Sequence, residues 1–193
     1  MFEPVIGGVP AYVLDLTASL RDRGWEAEVA SPESPSLTSK MEERGIPHWP
    51  VRLPHSLGPA DARAAWQLLG IARARRPALI HAHSSKAGPI AALVGRAIDV
   101  PVVYTPHTWS FQRADIGRVS ARLFTGIERV VARLHETLVF VSAAERDAAM
   151  AARIAPRDAS HVVHTGMSLR RCPRARSHDS VSAWSATPSS PFG

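Results

Sequence analysis

Residues 78–107 read ALIHAHSSKAGPIAALVGRAIDVPVVYTPH, and three kinds of pattern follow one another within that stretch. Ala78 to His83 and Val100 to Thr105 are short β-rich runs, with Pro77 ahead of the first and Pro106 stopping the second. Between them Gly88 to Ile98 is apolar nearly all round, which predicts a buried helix. A strand, a helix and a second strand within about thirty residues make a βαβ unit, and such a unit calls for a parallel sheet covered by helices.

The same alternation extends in both directions. Upstream, Pro10 suits the first turn of a helix running to about Arg23, with Val13, Leu16 and Leu20 at helical spacing and Gly24 as its stop. Trp25 to Ala30 then reads as a strand, Leu37 to Arg44 as a short helix stopped by Gly45, and Ile46 to Leu53 as an extended run. Asp61 to Arg75 is an amphipathic helix with Trp66, Leu69 and Ile71 among its apolar positions. Downstream come a helix from about Arg118 to Leu134, a strand from Thr137 to Val141, a helix from Ser142 to about Arg153 and a last strand from His161 to His164. Ser142 and Glu145 have the spacing of a capping box, which defines that helix start. The expected fold class is therefore α/β, a Rossmann-like parallel sheet with helices on both faces. Met1 to Ile6 leaves space for only a stub of first strand, so that strand is expected to be truncated at the centre of the sheet.

The 193 residues suit one domain and a remainder. The domain is read as 1–168. Residues 170–193 hold six serines, three prolines and four arginines with no apolar periodicity, so 169–193 reads as a disordered, low-complexity tail. The basic side of the +6 net charge is 21 arginines against only Lys40 and Lys86, and Arg170, Arg171, Arg174 and Arg176 against Asp179 put half of that excess in the tail. The body lacks the basic stripe of a nucleic-acid binder. One cysteine, Cys172, excludes an internal disulfide framework. With neither an apolar run of about 18 residues nor a secretory signal, the expected compartment is the cytoplasm.

In an open parallel sheet ligands bind at the carboxyl ends of the strands. The residues at those ends are small and polar: Gly7 and Gly8, then His83 to Gly88, then Thr105 to Thr108, Ser142, and Thr165 with Gly166. Gly7 and Gly8 precede a helix start, where exposed amides and the helix dipole suit a phosphate, although a tight turn would use the same glycines. Ser84, Ser85 and Lys86 supply hydroxyls and an ammonium at another helix start, or a plain cap. His81 and His83 share a strand face, which would suit metal ligation, but neither Cys nor Asp/Glu accompanies them; His81 is expected to pack inside and His83 to approach the rim. His107 follows Pro106 at a strand terminus, where an imidazole can bond a substrate hydroxyl. Neither G-x-S-x-G nor G-x-x-x-x-G-K-[ST] occurs.

Four segments together, Glu3 to Pro10, His81 to Gly88, Tyr104 to Phe111 and Val139 to Glu145, resemble the N-terminal domain of GT-B glycosyltransferases of family 4. The resemblance spans about residues 3–168 and closes on Val162 to Met167, with Thr165 where the family usually has Asn. It implies a retaining transfer of a hexose from a nucleotide-sugar to a glycan or lipid-linked saccharide, as in polysaccharide biosynthesis, with neither metal nor other cofactor. By the resemblance Gly7 and Gly8 lie against the donor diphosphate, and His107 makes the catalytic contact with the transferred sugar. His83, Ser84, Ser85 and Lys86 line the acceptor side. Nucleic acid is not an expected partner; peripheral contact with the inner face of the membrane is, since it would suit a lipid-linked acceptor. The family binds its donor mainly through a second domain with paired glutamates, and the tail resembles none. The chain is therefore expected to be a truncated, inactive fragment, the alternative being a non-catalytic glycan- or partner-binding module.

Overall fold

The computed structural model describes residues 1–2, 7–53, 58–109, 111, 117–154 and 159–166. Its elements run α1 (Gly8–Asp22), β1 (Val29–Ser31), α2 (Pro35–Glu43), β2 (His48–Pro50), α3 (Ala60–Arg75), β3 (Ile80–His83), α4 (Ala87–Ile98), β4 (Val102–Thr105), α5 (Arg118–Ala132), β5 (Thr137–Phe140), α6 (Ala143–Ala151) and β6 (Ser160–Val162). The expected tail, Cys172 included, lies outside the described residues.

All strand pairs are parallel. β1 pairs with β2, and β3, β4, β5 and β6 follow one another in order. Met1 and Phe2 join the two groups: Phe2 bridges His83 in parallel and donates its N–H to the Ala30 carbonyl, while the His83 N–H donates to Met1. The order across the molecule is thus β2, β1, the 1–2 stub, β3, β4, β5, β6, with the stub at the centre as expected. Side chains of successive strand residues face opposite ways. Accordingly Met1 joins the core of Leu68, Ile90, Val94 and Tyr104, and Phe2 joins that of Val13, Leu14, Leu37 and Met41.

The breaks fall where the local chemistry requires. Pro35 opens α2, and α3 and α4 end on Arg76 and Asp99 in the left-handed conformation. Ser142 Oγ accepts the Glu145 N–H at 3.1 Å, and Glu145 Oε2 accepts the Val141 N–H at 2.9 Å, so the box closes one residue further back than its usual form. α4 lies hard against β4, since a Cβ on Gly95 would stand 2.3 Å from Val102 Cγ2 and 2.7 Å from the Val100 carbonyl oxygen.

Three aromatic or aliphatic positions differ from expectation. Trp25 is exposed, and β1 starts only at Val29. Trp66 is exposed too, because α3 buries Ala64, Leu68 and Ala72, a stripe of four-residue steps whose small members let α3 pack closely on α4. α4 buries most of its length but exposes Leu93, an aliphatic expected inside, along with Arg96 and Ala97 in its last turn. No helix among the described residues is long and apolar enough to cross a membrane.

Candidate functional site

The carboxyl ends of the stub, β3 and β4 come together because His83 is in register with both Phe2 and Thr105. α1 begins at once after Gly7, whose φ of 107° lies where only glycine rests without strain. No side chain caps that start, and a Cβ on Gly7 or Gly8 would meet nothing within 4 Å. Among the described residues, then, no side chain caps the first amides of α1, which leaves donors of the kind an anion at a helix N-terminus takes.

Three imidazoles stack beside this turn. The His81 and His83 rings are 4.0 Å apart between centroids, and His83 Nδ1 lies 3.1 Å from His107 Nε2. His81 Nε2 pairs with Thr105 Oγ1 at 2.8 Å. The expected arrangement of the first two is reversed: His83 is the buried one, only 3% exposed, and touches the rim through His107, whereas His81 is half-buried. The strand-terminal position puts His83 under the β4 loop, so the loop covers it.

Burial disfavours the charged ring in all three. His83 is held well below the usual histidine range by burial and then by His81. His81 is pushed down to about 3 by burial, the N-terminal amine and His107. His107 is lowered to about 4 by burial. The Met1 amine, which donates to the His81 carbonyl at 2.8 Å, is lowered to about 5 by burial. The trio is neutral at pH 7 and acts by hydrogen bonding. Among the described residues no group of three His, Cys, Asp or Glu is placed to hold a metal ion.

Tyr12 of α1 stands edge-on to His107 at 4.9 Å and to His83 at 5.7 Å, joining the glycine turn to the histidines. Sequence reading missed it, since Tyr12 sits in a wholly apolar run; its one signal is its position a helical turn after Gly8, on the rim side. His107 has φ 64° and Ser84 φ 84°. Strained non-glycine residues on two adjacent loops of one rim are the kind of outlier that clusters at functional sites.

Ser84 Oγ is shut off from solvent without a hydrogen-bond partner among the described residues, whereas the equally buried Ser85 hydroxyl lies against the Tyr104 phenol. Lys86 points its ammonium at Asp61 of α3, 2.6 Å away, so its charge is already engaged beside the rim. Underneath, the fully buried Trp109 donates from its indole N–H to the Glu145 carbonyl, tying the β4 loop to α6. Tyr104 donates to Glu128 at 3.1 Å and stacks on His135, whose Nε2 lies 3.2 Å from the Gly88 carbonyl oxygen. This polar layer supports the Ser84–Gly88 turn from below. One cavity of about 390 Å³, lined by Gly95, Arg96, Asp99 and Glu136 among others, lies at the opposite ends of the strands and includes none of these residues.

A family model described as a glycosyl transferase 4-like domain matches residues 7–166. No curated protein matches the chain. Among solved structures, HepE of Anabaena in complex with UDP is similar with a TM-score of 0.67 at 20% identity, over 86% of this chain and 43% of that one. A glycosyltransferase of Rickettsia africae gives 0.68 at 15% identity, over 85% and 41%. A UDP-N-acetylglucosamine 2-epimerase of Rickettsia bellii gives 0.57 at 10% identity, over 82% and 43%. These likenesses establish the Rossmann-like GT-B type of fold, and the epimerase illustrates that the fold alone does not fix the reaction. The chain spans about two fifths of the length of each.

Proposed function

The chain belongs to the glycosyl transferase 4-like domain family, and from that membership we propose that it forms the acceptor-side half of a hexosyltransferase. In this reading a nucleotide-sugar gives its hexose, with retention, to a hydroxyl of a glycan or lipid-linked saccharide. The first amides of α1 at Gly7 and Gly8 approach the donor diphosphate, where the helix dipole favours negative charge. His107 hydrogen-bonds the transferred sugar, held from below by His83 and from the side by Tyr12. Ser84, Ser85 and Lys86 line the acceptor side. A second domain, of the kind the resemblance implies, would enclose the nucleotide.

The observation that carries this reading is the convergence, at one rim, of an uncapped glycine helix start and a neutral imidazole pair linked by Tyr12. HepE of Anabaena was solved with UDP and with UDP-glucose, which supports a nucleotide-sugar as donor.

Calorimetric titration of the chain with UDP, UDP-glucose and GDP-sugars tests it. The rim is open, and a charge contact in water at 4 Å amounts to only about 1 kcal/mol. Binding is expected near millimolar, about 4 kcal/mol, without measurable sugar transfer, and His107→Ala should erase any preference for UDP-glucose over UDP. Binding that ignores both His107→Ala and Gly7→Val would overturn the assignment. Affinity for saccharides with none for nucleotides would favour a glycan-binding module instead.

A further inference from the structure

The outer face of α3 carries an indole that the packing of the fold does not use. Trp66 is 70% exposed, and at about 100° per residue it stands about 160° round the helix from the buried Leu68. A helical side chain leans over the turn before it, so the residue placed to cover Trp66 is residue 70. That residue is glycine. A Cβ on Gly70 would meet nothing within 4 Å, and its φ is not among the positive ones, so neither space nor conformation calls for a glycine there. Glycine is moreover a poor helix former in the middle of a helix. Ala62, one turn before the indole, is short as well. What the pair leaves is a flat ring open along the helix. The indole of Trp49, by contrast, has Arg75 over it at 5.3 Å, and among the described residues no such contact covers Trp66. Arg63 and Arg73 are exposed on the same arc, within about 60° of Trp66. No ion pair among the described residues engages either, and the one acid of α3, Asp61, is held by Lys86 at 2.6 Å.

We propose that Trp66, Arg63 and Arg73 form a distal subsite for an acidic saccharide chain, one pyranose stacking its C–H face on the indole while the arginines take carboxylates to either side. An indole pairs an apolar face with a polar edge, and a pyranose ring matches it in both respects. The two arginines are about 15 Å apart along the axis, a span that suits a chain and not a single sugar. A protein interface needs contiguous apolar area, and Trp66 is the one large apolar side chain exposed on α3, among short or charged neighbours. A single-stranded nucleic acid would answer the same chemistry, but position favours the saccharide. α3 leads into β3, and its Asp61 meets Lys86 beyond the carboxyl end of β3, so the helix starts at the rim. Trp66 lies five residues on, about 8 Å along the axis. A chain whose end sits at Ser84 to Lys86 can thus pass round the start of α3 to its outer face. The inference rests on the acceptor-side reading above and adds to it the length and the charge of the acceptor.

The test is calorimetric titration of the full chain with galacturonic acid and oligogalacturonates of increasing length, with maltohexaose as the neutral control. Affinity should rise with length and exceed that for maltohexaose. Trp66→Ala should cancel the gain with length, weakening the long oligomers roughly tenfold. Gly70→Leu should do the same by covering the ring, while raising the urea midpoint because leucine is the better helix former. Arg63→Gln with Arg73→Gln should bring the acidic oligomers down to the level of maltohexaose. Oligogalacturonate binding that ignores Trp66→Ala or Gly70→Leu overturns the subsite and leaves the sugar-transfer reading standing, since nucleotide titration of His107→Ala decides that reading separately. Absence of oligogalacturonate binding overturns the subsite too. So does a dimer in solution that Trp66→Ala dissociates, or single-stranded DNA that binds more tightly than the oligomers and is lost in Trp66→Ala. Nucleotide binding that fails while the length effect persists would remove the sugar-transfer reading alone.

Discussion

His83 Nδ1 and His107 Nε2 face each other at 3.1 Å, and burial keeps both rings uncharged. A neutral imidazole has one donor and one acceptor nitrogen, so across this contact one ring donates and the other accepts. Whichever way the shared hydrogen lies, it fixes whether the outer nitrogen of His107 offers a donor or an acceptor to a ligand. Long-range proton–nitrogen NMR at pH 7 should find both rings neutral and His107 in one tautomer. In His83→Phe the His107 ring should relax to the mixture seen for free imidazole. An imidazolium signature at pH 7, or an unchanged tautomer in the variant, would refute the coupling.

Acid should unfold this protein through the same cluster. The unfolded chain takes up histidine protons near pH 6.5, whereas His81 and His107 resist them down to about 3 and 4 in the fold. The unfolded state then binds more protons, so the histidine contribution to stability is full above about pH 6.5 and falls as pH drops toward those values. The slope is about 1.4 kcal/mol per pH unit for a buried ring such as His83. The Met1 amine, down from 8.0 to about 5, adds loss from about pH 8 downward. Tyr12, the other titratable group against the rings, is raised by burial and stays neutral throughout. Urea midpoints should decline steadily from pH 8 to 5; a flat profile would mean that the rings are hydrated in the native state.

Much of this architecture was legible because period and punctuation agree. Pro77 and Pro106 bracket the β3–α4–β4 unit, and Ser142 with Glu145 marks the start of α6. That Gly7, Gly8 and His107 gather at one rim was legible for a related reason, since all three follow strand ends in a parallel sheet. What could not be read is direction within a helix or strand. His81 and His83 differ by no local feature, and only the β4 loop decides which is covered. Trp66 looks like a core residue until α4 demands small neighbours at Ala64 and Ala72. The periodicity of α5 likewise contains enough aliphatics for two faces, and only the packed structure assigns Val131 inward and Val130 outward. Tyr12 gained its place from a contact across the sheet centre, which one-dimensional pattern does not encode.

The close seat of α4 on β4 predicts an intolerant glycine. A methyl at Gly95 would press on Val102 Cγ2 and on the Val100 carbonyl, and the backbone oxygen cannot rotate away as a side-chain tip could. Overpacking of this kind typically costs about 1–3 kcal/mol, more than alanine's helix-propensity gain of about 1 kcal/mol over glycine. Gly95→Ala should lower the urea midpoint accordingly. A stabilised variant would mean that α4 can lift off β4 at little cost.

The last prediction sets stability against function at Ser84. Its φ of 84° is unfavourable for a residue with a Cβ, by about 1–2 kcal/mol, and its Oγ is buried without a described partner, which adds about 1–3 kcal/mol. Glycine would remove both penalties and lose about 1 kcal/mol through the greater freedom of the unfolded chain. Ser84→Gly should therefore raise stability by about 1–4 kcal/mol by urea denaturation at pH 7. The hydrogen bonds that hold the turn are from backbone groups, Ser84 N–H to Thr105 and Ala87 N–H to the Ser84 carbonyl, and glycine keeps them. If the hydroxyl waits for an acceptor saccharide, the stabilised variant should bind saccharide more weakly while its affinity for UDP stays the same. A destabilised Ser84→Gly would show that the serine is structural, and unchanged saccharide binding would remove it from the acceptor side.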